Sequence, residues 1–213
     1  MQIILQEVVP DYIEKENIAR SQIWGKSLVI EKGEHLHIVA SSGNGKTSLM
    51  HFIYGLRRDY TGAIFYDTTD IKKLSPESFS SFRQKKISII FQDLRLFPEQ
   101  SVRENLEIKR LLNPYHNPVA IDEMAKRLGI FSKLDKPAKT CSYGEQQRIA
   151  IIRSLMQPFD FILLDEPYSH LDDANRQKAT ELIYDECKKR DAAMVFADLK
   201  VLDFLKGEKM LML

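Results

Sequence analysis

His35-Leu36-His37-Ile38-Val39-Ala40-Ser41-Ser42-Gly43-Asn44-Gly45-Lys46-Thr47-Ser48-Leu49-Met50 is the stretch on which the reading of this chain turns. His35 to Val39 alternates and ends on β-branched residues, as a strand does. Leu49, Met50, Phe52, Ile53 and Leu56 follow at helical spacing. The residues between match G-x-x-x-x-G-K-[ST], with Ala40 in place of the first glycine. A loop between strand and helix aims backbone N–H groups and the helix N-terminus at phosphate oxygens. Gly43 and Gly45 permit the backbone this requires. Ser41, Ser42, Gly43, Asn44, Gly45, Lys46, Thr47 and Ser48 are therefore the expected phosphate contacts. Lys46 adds mobile positive charge, and Thr47 offers a hydroxyl to Mg2+. The alternative, a Gly/Ser turn before an ordinary helix, does not call for lysine and threonine at these places.

A phosphate site needs an acidic partner, and Phe161-Ile162-Leu163-Leu164-Asp165-Glu166 supplies one. An apolar run of this length reads as a buried parallel strand. Its C-terminal edge is where open parallel sheets bind ligands. Asp165 is the expected holder of the Mg2+ water shell beside Thr47, and Glu166 the expected general base for an attacking water. Taken alone, the two carboxylates could simply close the strand before Pro167.

Around these motifs, strands are expected over Met1 to Val9, Ser27 to Ile30, Ala63 to Tyr66, Ile87 to Phe91, Ala192 to Ala197 and Lys209 to Leu213. Pro10 to Arg20 reads as a polar loop. Helices are expected over Ser101 to Leu112, with Glu104 three residues after the cap Ser101, over Val119 to Leu128, closed by Gly129, over Ala174 to Arg190, and briefly over Val201 to Leu205. Strand and helix alternate in both flanks, so the class is α/β with a mostly parallel central sheet. Residues 93–157 read as a mostly helical lobe inserted into one domain spanning 1–213.

A formal net charge of +1 gives no footprint for a nucleic-acid backbone. Two lone cysteines, Cys141 and Cys187, support neither a zinc knuckle nor a disulfide framework and fit a reducing compartment. The acidic Glu7, Asp11 and Glu14 do not suit a signal peptide. No apolar run approaches the ~20 residues that span a bilayer. The expectation is a cytoplasmic chain, with any membrane crossing left to a partner.

Cys141-Ser142-Tyr143-Gly144-Glu145-Gln146-Gln147-Arg148 resembles the signature of the ATP-binding cassette (ABC) family, usually written LSGGQ and followed by QQR. It stands upstream of the acidic strand, as in that family. Gln92 resembles the Q-loop glutamine, and Ser169-His170-Leu171-Asp172 the D-loop. The resemblance covers nearly the whole chain and is closest to the compact ATPase subunits of exporters, lipoprotein-release systems and cell-division complexes. It implies a P-loop NTPase fold with a β-rich N-terminal part, and ATP and Mg2+ as ligands. Gln92 is implied in catalysis and at the metal, and an N-terminal aromatic, Tyr12 or its rival Trp24, stacked on adenine. It also implies a head-to-tail dimer in which Ser142 and Gly144 of one copy meet the nucleotide of the other. A homodimer is expected, with integral membrane subunits docking near the Q-loop. On this reading residues 92–118 make a peripheral membrane association, with Leu94, Leu96 and Phe97 exposed around Pro98. Ser142 and Glu145 also form a capping-box pattern, so a helix whose free N–H groups can receive a phosphate should begin there.

Three departures bear on activity. Tyr143 replaces the family's first signature glycine, and Glu145 its glutamine. Ala197 stands where the family places a switch histidine, and no histidine follows His170. These predict good ATP binding and slow hydrolysis. An ATPase that powers transport is the leading reading; the rivals are a hydrolysis-poor, ATP-gated scaffold of a membrane complex and a soluble relative acting on nucleic acid.

Overall fold

The computed structural model describes residues 1–199 and 209–213. Its elements run β1 (Gln2–Pro10), α1 (Lys15–Arg20), β2 (Ser27–Glu31), β3 (His35–Val39), α2 (Lys46–Ile53), β4 (Tyr60–Tyr66), β5 (Thr69–Asp70), α3 (Pro76–Lys85), β6 (Ile87–Ile90), α4 (Val102–Leu112), α5 (Val119–Arg127), α6 (Tyr143–Leu155), β7 (Phe161–Asp165), α7 (Asp173–Arg190), β8 (Ala193–Asp198) and β9 (Lys209–Met212). Single 3-10 turns sit at Ile71–Lys73, Phe131–Lys133 and Ala138–Thr140.

One sheet is antiparallel, ordered β2-β1-β4-β5; the other is parallel, ordered β6-β7-β8-β3-β9. Strands covered on both faces lose their alternation, which is why β7 is buried at every position. Successive side chains still part company. Phe161, Leu163, Ala193, Val195 and Ala197 join a core shared with the antiparallel sheet and α2. Ile162, Leu164, Met194 and Phe196 join a second core shared with α4, α5, α6 and α7. Each fully buried Ile, Leu or Phe contributes about 1.5–3 kcal/mol over an exposed one.

The strand order brings the C-terminal ends of β6, β7, β8 and β3 side by side. Those ends carry Gln92, Asp165 with Glu166, Asp198, and the loop from Ala40. This is the edge where parallel sheets place ligands.

Expected and observed elements differ in places. Pro10 to Arg20 is not all loop, because α1 occupies Lys15–Arg20. That helix has six residues, no side-chain cap and no buried residue, so it leaves no periodicity to read. The sequence reading assigned nothing to α3, whose only buried residue is Phe79; it starts from Ser75, whose hydroxyl accepts from Ser78 N, with Pro76 in its first turn. The two capping boxes do form, at Ser101–Glu104 and Ser142–Glu145. Leu182, Ile183 and Cys187 are all buried on α7. The helix expected over Val201 to Leu205 lies outside the described residues.

Candidate functional site

The loop after β3 turns on two glycines. Gly45 caps α2 at φ +92°, and a Cβ there would stand 3.0 Å from Trp24 Cζ2. Gly43 has φ +87° with open space around it, so backbone freedom alone calls for glycine. Ala40 is not among the residues with positive φ, and its N–H donates to Asp198 O at 3.2 Å. Replacing the motif's first glycine therefore strains nothing. Lys46 is buried at 5% exposure. Its Nζ donates to Ala40 O at 2.8 Å and Ser41 O at 3.1 Å, and stands 3.5 Å from Glu166 Oε1. The ammonium is held by the loop's own carbonyls and the neighbouring carboxylate.

Glu166 follows the last residue of β7 with φ +47°, which costs a non-glycine residue about 1–2 kcal/mol. Its N–H donates to Ala197 O at 3.0 Å, anchoring it to β8. Gln92 Nε2 lies 3.5 Å from Glu166 Oε2, and Thr47 Oγ1 donates to Gln92 Oε1 at 3.3 Å. Lys46, Thr47, Gln92 and Glu166 so form one linked group. They line a cavity of about 460 Å3 together with Tyr12, Ser42, Gly43, Gly45, Ser48 and Arg57. Ser41 and Asn44 are not among its lining residues. The Asn44 side chain turns to Leu213 O at 3.4 Å.

Asp165 lies beneath this group, 1% exposed, with no hydrogen-bond partner for either carboxylate oxygen. Burial pushes its carboxyl up to about 6; the neighbouring Thr47 hydroxyl and Lys46 oppose the rise, and Glu166 adds to it. A buried carboxylate left unpartnered is costly, and a divalent cation would relieve it. Thr47 Oγ1, Gln92 Oε1 beside it and the Asp165 carboxylate are oxygen ligands, the chemistry that suits Mg2+.

Ser142 starts α6 with both halves of a capping box: its Oγ accepts from Glu145 N, and Glu145 Oε2 accepts from Ser142 N at 2.8 Å. Glu145 Oε1 also meets Lys133 Nζ at 3.2 Å. The carboxylate that replaces the family's glutamine is thus turned back on its own helix and neutralised. Tyr143 donates its hydroxyl to Gln92 O at 3.3 Å and sets its ring edge-on to His170, centroids 4.2 Å apart. Gly144 faces the turn after β7 so closely that a Cβ would sit 2.9 Å from His170 O. Neither Ser142 nor Gly144 lines the cavity of its own chain.

Of the two aromatic candidates, Tyr12 is 49% exposed and lines the cavity. Trp24 is 1% exposed and braces the loop from below through Nε1 to Asn44 O at 3.2 Å. Ala197 is fully buried and in register with Asp165 on one side and Ile38 on the other. Its methyl belongs to the first core and has no donor to offer. Against the exposure that the sequence leads one to expect for Leu94, Leu96 and Phe97, Leu94 is 3% exposed and Leu96 packs partly against the second core; of the three only Phe97, at 50%, is open. Leu94 and Arg95 both have positive φ, and their carbonyls accept from Arg153, which turns the loop inward.

Two site residues escaped the sequence reading. Gln147 was quoted only as part of the signature. It is 1% exposed, donates to Ser169 Oγ at 3.2 Å and Glu166 O at 3.4 Å, and accepts from His170 N at 3.1 Å, tying α6 to the turn after β7. Arg57 lines the cavity from beyond the far end of α2. No local pattern marks it, because its proximity to the loop arises from the turn after the helix.

Residues 25–169 match the family described as ABC transporter. The lipoprotein-releasing system ATP-binding protein LolD of Porphyromonas gingivalis is 34% identical over 185 residues, covering 83% of this chain and 84% of that protein. LolD of Syntrophotalea carbinolica is 32% identical over 183 residues, 80% of this chain and 81% of that protein. The macrolide export ATP-binding/permease protein MacB of Nitrosomonas europaea is 35% identical over 162 residues, which span only 25% of its length. A dimeric bacterial ABC transporter cassette, MJ0796, shares the fold with a TM-score of 0.81 at 24% identity, covering 99% of this chain and 94% of that one. Its post-hydrolysis dimer bound to ADP and Pi gives a TM-score of 0.80 at 23% identity, covering 93% of this chain and 88% of that one.

Proposed function

The chain belongs to the ABC transporter family, and from that premise we propose that it is the ATP-binding and ATP-hydrolysing subunit of a transporter, working as a nucleotide-driven dimer on the cytoplasmic face of a membrane beside integral membrane subunits. The observation that carries this is the single cavity in which the phosphate loop, Gln92 and Glu166 converge at the C-terminal edge of the parallel sheet. The compact LolD relatives, matched over most of their length, favour a subunit partnered by separate membrane chains. Residues 93–157 serve as the inserted helical lobe: between β6 and β7 the described elements are helices and 3-10 turns. Phe97, Leu111, Leu112 and Tyr115 are exposed within 92–118 or at its edge, and this supports docking there.

The chemistry follows from the residues. Loop N–H groups and the N-terminus of α2 receive the phosphates. Lys46 exchanges Ala40 O and Ser41 O for phosphate oxygens, which also releases Glu166 from its ammonium. Glu166 then takes the proton of the attacking water, and Gln92, within reach of both Thr47 and Glu166, orients that water. Mg2+, held by Thr47, Gln92 and Asp165, would neutralise charge developing on the phosphates. Ser142 and Gly144 act on the partner copy's nucleotide through the free N–H groups of α6, and Tyr12 stacks on the base.

Two measurements test this. Nucleotide titration should show wild type binding ATP and Lys46→Ala losing most of that affinity; equal affinities would remove the reading. Light scattering should show Glu166→Gln dimerising with Mg-ATP and reverting without it. A monomer in both states would overturn the homodimer in favour of a second cassette chain.

A further inference from the structure

Arg57 follows α2 after a turn at Gly55, where φ is +72° and a Cβ would fall 2.2 Å from the Phe79 ring. The reversal sends the Arg57 side chain back along α2 towards the loop. Its Nη1 donates to Ser48 Oγ at 2.8 Å. The Tyr12 hydroxyl meets the same Ser48 Oγ. The guanidinium carbon stands 5.3 Å from the centroid of the Tyr12 ring and 5.5 Å from that of Phe52, within cation–π range. Asp59 grips the other side of the fork, through Nε to Oδ1 at 2.9 Å and Nη2 to Oδ2.

The cavity lining thus divides into two linked groups. Lys46, Thr47, Gln92 and Glu166 make the end that handles phosphate and water. Tyr12, Ser48 and Arg57 make the other, joined to the first through the adjacent residues Thr47 and Ser48. A guanidinium has five N–H donors in a fixed plane. Asp59 and Ser48 do not use them all, and after the nearby Tyr12 hydroxyl oxygen takes its share at least one terminal N–H is left for a ligand. The planar cation beside Tyr12 also braces that ring, which is half exposed and lines the cavity.

We propose that Arg57 is a nucleotide-recognition residue that, with Tyr12, forms the nucleoside side of the site: the braced ring stacks on the purine, and a spare guanidinium N–H bonds to a ribose oxygen. This rests on the nucleotide reading above and assigns a residue and a specificity to it. An alkyl ammonium cannot replace a planar fork that both stacks and bonds.

The test is calorimetric titration of wild type, Arg57→Ala and Arg57→Lys with Mg-ATP, ADP and inorganic tripolyphosphate. Arg57→Ala should weaken ATP and ADP about tenfold, the range of one hydrogen bond from a charged donor. It should leave tripolyphosphate unchanged, because Lys46 and the loop hold that ligand alone. Arg57→Lys should resemble Arg57→Ala. Equal losses for all three ligands would mean a general charge effect and overturn the proposal, as would unchanged ATP affinity. If Arg57→Ala does not fold, Arg57→Gln, which keeps a donor for Ser48, carries the same expectations. A wild type that binds none of the three ligands sinks the nucleotide reading as well; a wild type that binds all three beside an unaltered Arg57→Ala sinks only the Arg57 assignment.

Discussion

Glu186→Gln should cost the fold about 3 kcal/mol at neutral pH and progressively less in acid. Glu186 lies on α7, 1% exposed. Its Oε2 is 2.9 Å from His116 Nε2, its Oε1 accepts from Lys189 Nζ at 2.8 Å, and it pairs with the Arg190 guanidinium. Arg190 in turn donates to Leu155 O at 3.0 Å and lies 4.0 Å over the Tyr115 ring and 4.5 Å over Phe159. Burial pushes the Glu186 carboxyl up, but the His116, Lys189 and Arg190 contacts outweigh it and hold the group at about 2 against an ordinary 4.5. At 1.36 kcal/mol for each tenfold in proton affinity, that difference is worth about 3 kcal/mol. Breaking one side of a buried pair costs about 3–5 kcal/mol by an independent route. Because the folded-state value is the lower one, the stabilisation is complete above 4.5 and is lost as pH falls from 4.5 towards 2. Urea unfolding of wild type and Glu186→Gln, followed by far-UV circular dichroism, should give a difference of about 3 kcal/mol at pH 7 and about 1.5 kcal/mol at pH 3. Tyr115 and His116 belong to the turn between α4 and α5, so the cluster pins the helical segment to α7 without touching the cavity. ATP affinity of the folded variant should therefore be unchanged. A difference under about 1 kcal/mol at pH 7, or one of equal size at both pH values, would refute the argument.

Two further expectations follow from the site. Asp165→Asn should raise the melting temperature of the nucleotide-free protein by several degrees, since a buried, unpartnered carboxylate is replaced by a neutral group worth about 1–3 kcal/mol less in desolvation. It should also abolish the effect of Mg2+ on ATP affinity; a lower melting temperature or intact Mg2+ dependence speaks against the metal assignment. The isolated wild-type chain should release phosphate at well below about 1 per second at saturating Mg-ATP, because Ala197 offers no donor beside Asp165, and Glu166→Gln should reduce even that rate; turnover of several per second by wild type would contradict the role given to Ala197.

The sequence by itself was enough for the α/β class, for the loop from Ala40 to Ser48, for Asp165 and Glu166 at a strand end and for the cap of α6 at Ser142. Each of these is written locally: a periodicity of two or 3.6, a glycine where φ must be positive, or a hydroxyl three residues before a carboxylate. Short or polar elements were not legible. Neither α1, with nothing buried, nor α3, with Phe79 alone buried, has a face for periodicity to reveal. Leu94 looked exposed because it neighbours Phe97 and Pro98; only the positive φ at Leu94 and Arg95 and their bonds to Arg153 turn it inward. The different surroundings of Tyr12 and Trp24 likewise needed the packing of β1, β2 and α2, which buries the indole under the loop and leaves the phenol in the cavity. Arg57 and Gln147 belong to the tertiary structure altogether. Their partners lie 9 to 45 residues away in the chain or across a turn, at Ser48, Tyr12, Glu166 and His170. A side chain's chemistry can be read from its letter, but what it meets depends on where the strand order β6-β7-β8-β3 and the reversal at Gly55 bring distant backbone together.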